Sequence, residues 1–192
     1  MTLTLAELID RAEIQDALHR YAQAQDQDRW DLYDTVFTDD AEVELVGLPL
    51  GTVPAVEFGR FLRVDFGATR LSGQHLIGNT LIELLGDTAR SVSEVLHSTL
   101  QRTGTPNELT LSEGTSLYAD SWRRTGAGWC IAHRIITQKH VEERVVSYDP
   151  AFIAAIEAGA ARDLSVAGPD AAGPDAQGPY TRGPHTAERE GR

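Results

Sequence analysis

Residues 122–134 read Trp122-Arg123-Arg124-Thr125-Gly126-Ala127-Gly128-Trp129-Cys130-Ile131-Ala132-His133-Arg134. Gly126-Ala127-Gly128 carries hairpin chemistry, and the segments on both sides read as strands, so this stretch predicts two antiparallel strands joined tightly. The same pattern repeats outward. Strands are predicted at 74–85, 89–102, 109–124 and 128–143, with Gly86-Asp87 and Gly104-Thr105-Pro106-Asn107 at the other joints. Four such strands in a row make an antiparallel meander.

Upstream of the meander the pattern is helical. Thr4-Leu5-Ala6-Glu7 has the spacing of a capping box. Leu8, Ile14, Leu18 and Tyr21 form an apolar stripe behind it, and the helix is expected to reach about Gln25. Asp28 is expected to cap a second helix over 29–37, with Trp30, Tyr33 and Phe37 on one face. Ala41–Val46 alternates as a strand, 47–54 reads as a loop, and Val56, Phe58, Phe61 and Leu62 predict a short third helix despite Gly59. Asp149-Pro150 opens a last helix through about Glu157. Three N-terminal helices against a strongly curved antiparallel sheet give an α+β fold over residues 1–158. In 159–192, Ala167-Gly168-Pro169-Asp170-Ala171 is followed by Ala172-Gly173-Pro174-Asp175-Ala176. Proline and glycine at that density bury too little apolar surface to offset ordering entropy, so a disordered tail is expected.

Composition narrows the partners. Seventeen basic against 29 acidic residues leave a net charge of −12. That balance argues against nucleic acid and anionic membranes, and the acidity serves solubility. No apolar run is long enough to span a bilayer, and the first residues lack the pattern of a secretory signal. Cys130 is the one cysteine; it excludes an internal disulfide, fits a reducing cytoplasm, and is expected to pack inside its strand.

The chemistry points to His75 and His97. They stand on consecutive predicted strands, in Gln74-His75-Leu76-Ile77-Gly78-Asn79-Thr80 and Ser93-Glu94-Val95-Leu96-His97. An imidazole among apolar neighbours needs a partner, and two facing each other could exchange a proton near neutral pH. Asp26, near the end of the first helix, is the candidate to fix one tautomer. Tyr21 is the candidate donor to a substrate oxygen. No tight ligand spacing links these residues, so no metal is expected, and the absence of a phosphate loop or nucleophile elbow argues against those chemistries.

Tyr21-Ala22-Gln23-Ala24-Gln25-Asp26, Trp30-Asp31, Phe37-Thr38-Asp39-Asp40-Ala41, His75-x-x-Gly78-Asn79, Tyr118-x-Asp120 and the 122–134 segment together resemble the nuclear-transport-factor-2-like superfamily and its SnoaL-like domains. The resemblance covers about residues 5–150. It implies a cone-shaped α+β barrel whose open end holds a deep, apolar pocket. Within that superfamily, scytalone dehydratases and bile-acid 7α-dehydratases offer the nearest functional parallels. Gln74-His75, His97 and Asp26 match the histidines and orienting aspartate of the former. Gln25 departs from a pocket tyrosine there, and Ser116 and Tyr118 fall on its serine and asparagine strand. The spacing of Tyr21 and Asp26 matches the bile-acid enzymes, which carry an aspartate where this chain has His97. Catalytic roles are therefore expected for His75, His97, Asp26 and Tyr21, and substrate-binding roles for Ser116, Tyr118, Asn79 and Trp30.

The resulting expectation is a cofactor-independent dehydratase acting on a hydrophobic cyclic ketone of polyketide, terpenoid or steroid-like type. A cyclase or isomerase using the same pocket, or a non-catalytic small-molecule-binding module, are the alternatives. A homodimer or higher homo-oligomer is expected in each case.

Overall fold

The computed structural model describes residues 2–47 and 49–160. Of the expected tail, 161–192 lies outside the described residues; 159 and 160 end the last helix. The chain order is α1 (Leu5–Asp26), α2 (Trp30–Tyr33), β1 (Phe37–Val46), β2 (Gly51–Pro54), α3 (Ala55–Arg60) with a π-helical continuation (Phe61–Phe66), β3 (Arg70–Leu85), β4 (Thr88–Arg102), β5 (Glu108–Thr125), β6 (Gly128–Ser147) and α4 (Pro150–Ala160). The six strands form one sheet in the order β2-β1-β6-β5-β4-β3. All neighbours are antiparallel except β1 and β6, which run parallel. This is the mixed α+β fold expected from the hairpin pattern. No described helix is long and apolar enough to cross a membrane.

Helix α1 starts where its capping box dictates. Glu7 N donates to Thr4 Oγ1 at 3.2 Å, and Thr4 N donates to Glu7 Oε2 at 2.7 Å. Its buried residues are Ile14, Ala17, Leu18, Tyr21, Ala22, Ala24 and Gln25. Leu8, placed in that stripe by periodicity, stays half exposed, because the apolar face meets the core only from Ile14 onward.

Three local expectations are corrected. Asp28 caps nothing: its φ is +54° and its carboxylate accepts from Arg70 instead. Helix α2 then stops at Tyr33, since Ile131 N donates to Val36 O at 2.8 Å and draws the next residues into the sheet. Phe37 consequently opens β1. The predicted loop 47–54 contains β2, paired antiparallel with β1. Gly59 sits inside α3 because the place a Cβ would occupy lies 2.6 Å from Tyr33 Cε1. Here glycine is a packing requirement rather than a helix breaker.

The long strands bend at irregularities in register. Among them are those between Gly78 and Leu81 in β3, between Thr115 and Ser116 against β6, and between Ser121 and Trp122 against β6. Each extra residue increases local twist and curls the sheet. The last one leaves Ala132 unpaired, so Ile131 faces Trp122 while His133 faces Ser121 and Arg134 faces Asp120. Simple alternation puts His133 on the side of Ile131; the bulge turns it away and sends Arg134 inward.

Candidate active site

The inward row at one end of the sheet begins with His75, directly opposite His97, which lies opposite Gly114. The imidazole centroids are 6.1 Å apart with the rings tilted by 31°. Asp26, the last residue of α1, reaches across to β3. His75 Nδ1 donates to Asp26 Oδ1 at 2.6 Å, and His75 N donates to Asp26 Oδ2 at 2.7 Å. An ionised carboxylate only accepts, so the contact places a proton on Nδ1, and in a neutral ring Nε2 is then the acceptor. Both side chains are largely sheltered, at 13% and 11% exposure. A carboxylate at a helix C-terminus opposes the helix dipole, and the two donors from His75 hold it there.

His97 owes its position to Gly114. A Cβ on Gly114 would stand 2.8 Å from His97 Cε1 and 2.9 Å from Nε2. Burial, helped by the neighbouring His75, lowers the His97 pKa below its usual value, which favours a neutral ring at pH 7. A groove of about 370 Å³ runs past His97, with Gln74, Leu76, Leu96 and Thr115 among its walls. Leu76 and Leu96 alternate with the histidines, so the groove approaches from the exposed face of the sheet.

Tyr21 and Tyr118 belong to a second, deeper group. Their centre is an ion pair between Arg134 and Asp120, both with fully buried side chains. Arg134 Nε and Nη2 donate to the two Asp120 oxygens at 2.7 and 2.8 Å. The guanidinium lies 4.1 Å from the Tyr21 ring centroid and 4.4 Å from that of Tyr118, and the two rings meet edge to face. Burial raises the pKa of both phenols against the pull of Arg134, so each stays a protonated donor. Burial would strip the proton from Arg134, but Asp120 outweighs it and the pKa is raised. Tyr118 lies opposite Ser93, four residues from His97 along β4, which is about 13 Å of strand.

The structure thus brings Asp26, His75 and His97 together and gathers Tyr21 and Tyr118 elsewhere. Ser116 lies between the groups, opposite Val95, and donates to Gln138 Oε1 at 3.3 Å. Asn79 is exposed in the β3 bulge, with φ +48°; its residue type serves the left-handed backbone there. Trp30 is partly buried under the Arg63 guanidinium, 5.2 Å from the ring centroid. Arg134 and Asp120 were not among the functional groups expected from the sequence. The signal was Asp120 at inward parity with Ser116 and Tyr118, a charge where only a partner makes burial tolerable. Among the described residues no group of three or more His, Cys, Asp or Glu could hold a metal ion.

A sequence model of the SnoaL-like domain matches residues 6–135. The chain belongs to the SnoaL-like family. An uncharacterised protein of Mycobacterium tuberculosis is 31% identical to this SnoaL-like chain over 141 residues, covering 71% of it and 90% of the relative. The crystal structure of hexachlorocyclohexane dehydrochlorinase LinA-type3 from Novosphingobium barchaimii superposes with a TM-score of 0.63 at 19% identity, covering 76% of this chain and 98% of that one. A candidate scytalone dehydratase from Novosphingobium aromaticivorans superposes with a TM-score of 0.64 at 18% identity, covering 77% and 97%. At those identities the likeness establishes the fold.

Proposed function

We propose that this SnoaL-like chain is a cofactor-independent dehydratase whose base is His75 Nε2, acting on a hydrophobic, hydroxylated cyclic ketone. The observation that supports the reading is the Asp26 carboxylate bound to both Nδ1 and the backbone N of His75. In the neutral ring that arrangement favours the tautomer protonated on Nδ1, which makes Nε2 the proton acceptor. His75 Nε2 takes the proton from the carbon next to the ketone, breaking that C–H bond. As the C–O bond of the neighbouring hydroxyl breaks, the imidazolium returns the proton to the departing oxygen and water leaves. One carbon–carbon double bond forms, and His75 ends as it began. Asp26 accompanies the transient positive charge. His97, neutral and 6.1 Å away centroid to centroid, positions the leaving hydroxyl by hydrogen bonding. Two of the fold's neighbours are named for an elimination or a dehydration, which is the same reaction class.

General acid–base assistance is worth roughly 10²–10⁴-fold. His75→Asn should therefore lower turnover by at least about 100-fold while the protein stays folded. The direct experiment incubates the purified chain with a panel of hydroxylated cyclic ketones and follows mass. Loss of one water, abolished in His75→Asn, supports the reading. A product of unchanged mass would reassign the site to isomerisation or ring closure, and full turnover in His75→Asn would remove His75 as the base.

A further inference from the structure

A second tie joins the end of α1 to β3 beside the Asp26–His75 contact. Arg70 opens β3, and its Nη2 donates to Asp28 Oδ1. The Arg70 side chain is only 5% exposed, whereas that of Asp28 is 71% exposed. A guanidinium sheltered to that degree needs an anion, and Asp28 supplies it. Asp28 does so from φ +54°, a left-handed conformation that Asp adopts more readily than most non-glycine residues. Gly73 lies between the ties on β3: the place its Cβ would occupy is 3.6 Å from Arg70 Cδ and 3.9 Å from Asp26 Oδ1. The stem of Arg70 and the reactive carboxylate therefore lie over the same glycine. Asp26 itself is the final α-helical residue, where a helix frays unless something anchors the chain beyond it.

We infer that the Asp28–Arg70 pair is a positioning device that holds Asp26 in its two-pronged contact with His75. Two clamps across one helix–strand junction fix both the distance and the rotation of the helix end; either alone leaves it free to pivot. The inference rests on the dyad reading above, but its test does not depend on turnover. Backbone-amide exchange of His75, whose N–H is bound by Asp26, and the nitrogen signals of its ring are recorded by NMR on the full ¹⁵N-labelled chain. Asp28→Asn keeps a residue tolerant of left-handed backbone and removes the charge, Arg70→Met removes the cation, and Asp40→Asn is the control at a distant exposed ion pair with Arg123.

Each of the first two variants should speed His75 amide exchange by about three- to tenfold and broaden the Nδ1 proton, with the double variant no faster than the worse single one. Arg70→Lys, which retains the charge, should restore exchange to within about twofold of wild type. The inference is overturned if His75 exchange is unchanged in Asp28→Asn and Arg70→Met, if Asp40→Asn has the same effect, or if the two effects multiply. Should His75→Asn keep full turnover on the ketone panel, the dyad reading fails, while the exchange result still decides whether the clamp positions Asp26.

Discussion

Folding changes how readily His97 takes a proton. Its pKa is lowered in the fold, mainly by burial and then by His75, so the unfolded chain binds the proton more readily. Stability contributed by keeping this ring neutral is present above the unfolded value, about 6.5, and is lost as pH falls below it toward the lowered folded value. The prediction is that His97→Asn flattens the pH dependence of the melting temperature between about pH 5 and 7. An unchanged slope would show that another group sets it. Arg134 carries a different kind of risk. Its bond to Asp120 is wholly buried, so Arg134→Met strands a carboxylate in the core and should cost about 3–5 kcal/mol in urea unfolding. Replacing both partners by apolar residues should cost less than replacing Arg134 alone. The histidines and Asp26 were legible in the sequence because reactive residue types on adjacent strands and at a helix end attract notice singly. Arg134 was not, because its inward direction depends on the unpaired Ala132, and a one-residue bulge leaves no mark in the alternation until the register is known.

At the scale of elements, the two informative glycines are contact points. Gly114→Ala would push a methyl into the His97 ring and the His140 carbonyl. Since the backbone oxygen cannot retreat, the histidine should be displaced, and the expected outcome is a loss of activity larger than the loss of stability, read by comparing turnover with melting. Gly59→Ala, against the Tyr33 ring, should instead destabilise by about 1–3 kcal/mol and leave the ring signals of His75 unaltered. The elements themselves divide in the same manner. The meander strands were readable almost to their ends because turn residues and alternation are local signals. Helix α2 was overextended, and β2 was missed, because what ends the one and creates the other is pairing with distant strands, β6 and β1.

For the whole molecule, the face opposite the core carries its own pattern. Leu76 and Leu96 lie opposite each other, as do Leu81 and Val92, and all four are exposed. Adjacent apolar side chains on a sheet face mark an association surface, and we propose that a second copy covers its Leu81–Val92 end, beside the groove at Leu76 and Leu96. Leu81→Arg with Val92→Arg should then shift the sedimentation coefficient from that of a dimer to that of a monomer; a wild-type chain that sediments as a monomer would dispose of the proposal.

The parallel β1–β6 pair bears on how the protein is made. Phe37 is bonded into the sheet beside Ile131, which follows it 94 positions later (131 − 37). At ribosomal rates of roughly 5–20 residues per second, β1 and its β2 hairpin wait about 5–20 s for their neighbour. During that interval the edge of β1 that β6 will cover presents unpaired backbone. The nascent chain thus passes through a window in which recruitment of a chaperone, or of another nascent copy, competes with completion of its own sheet.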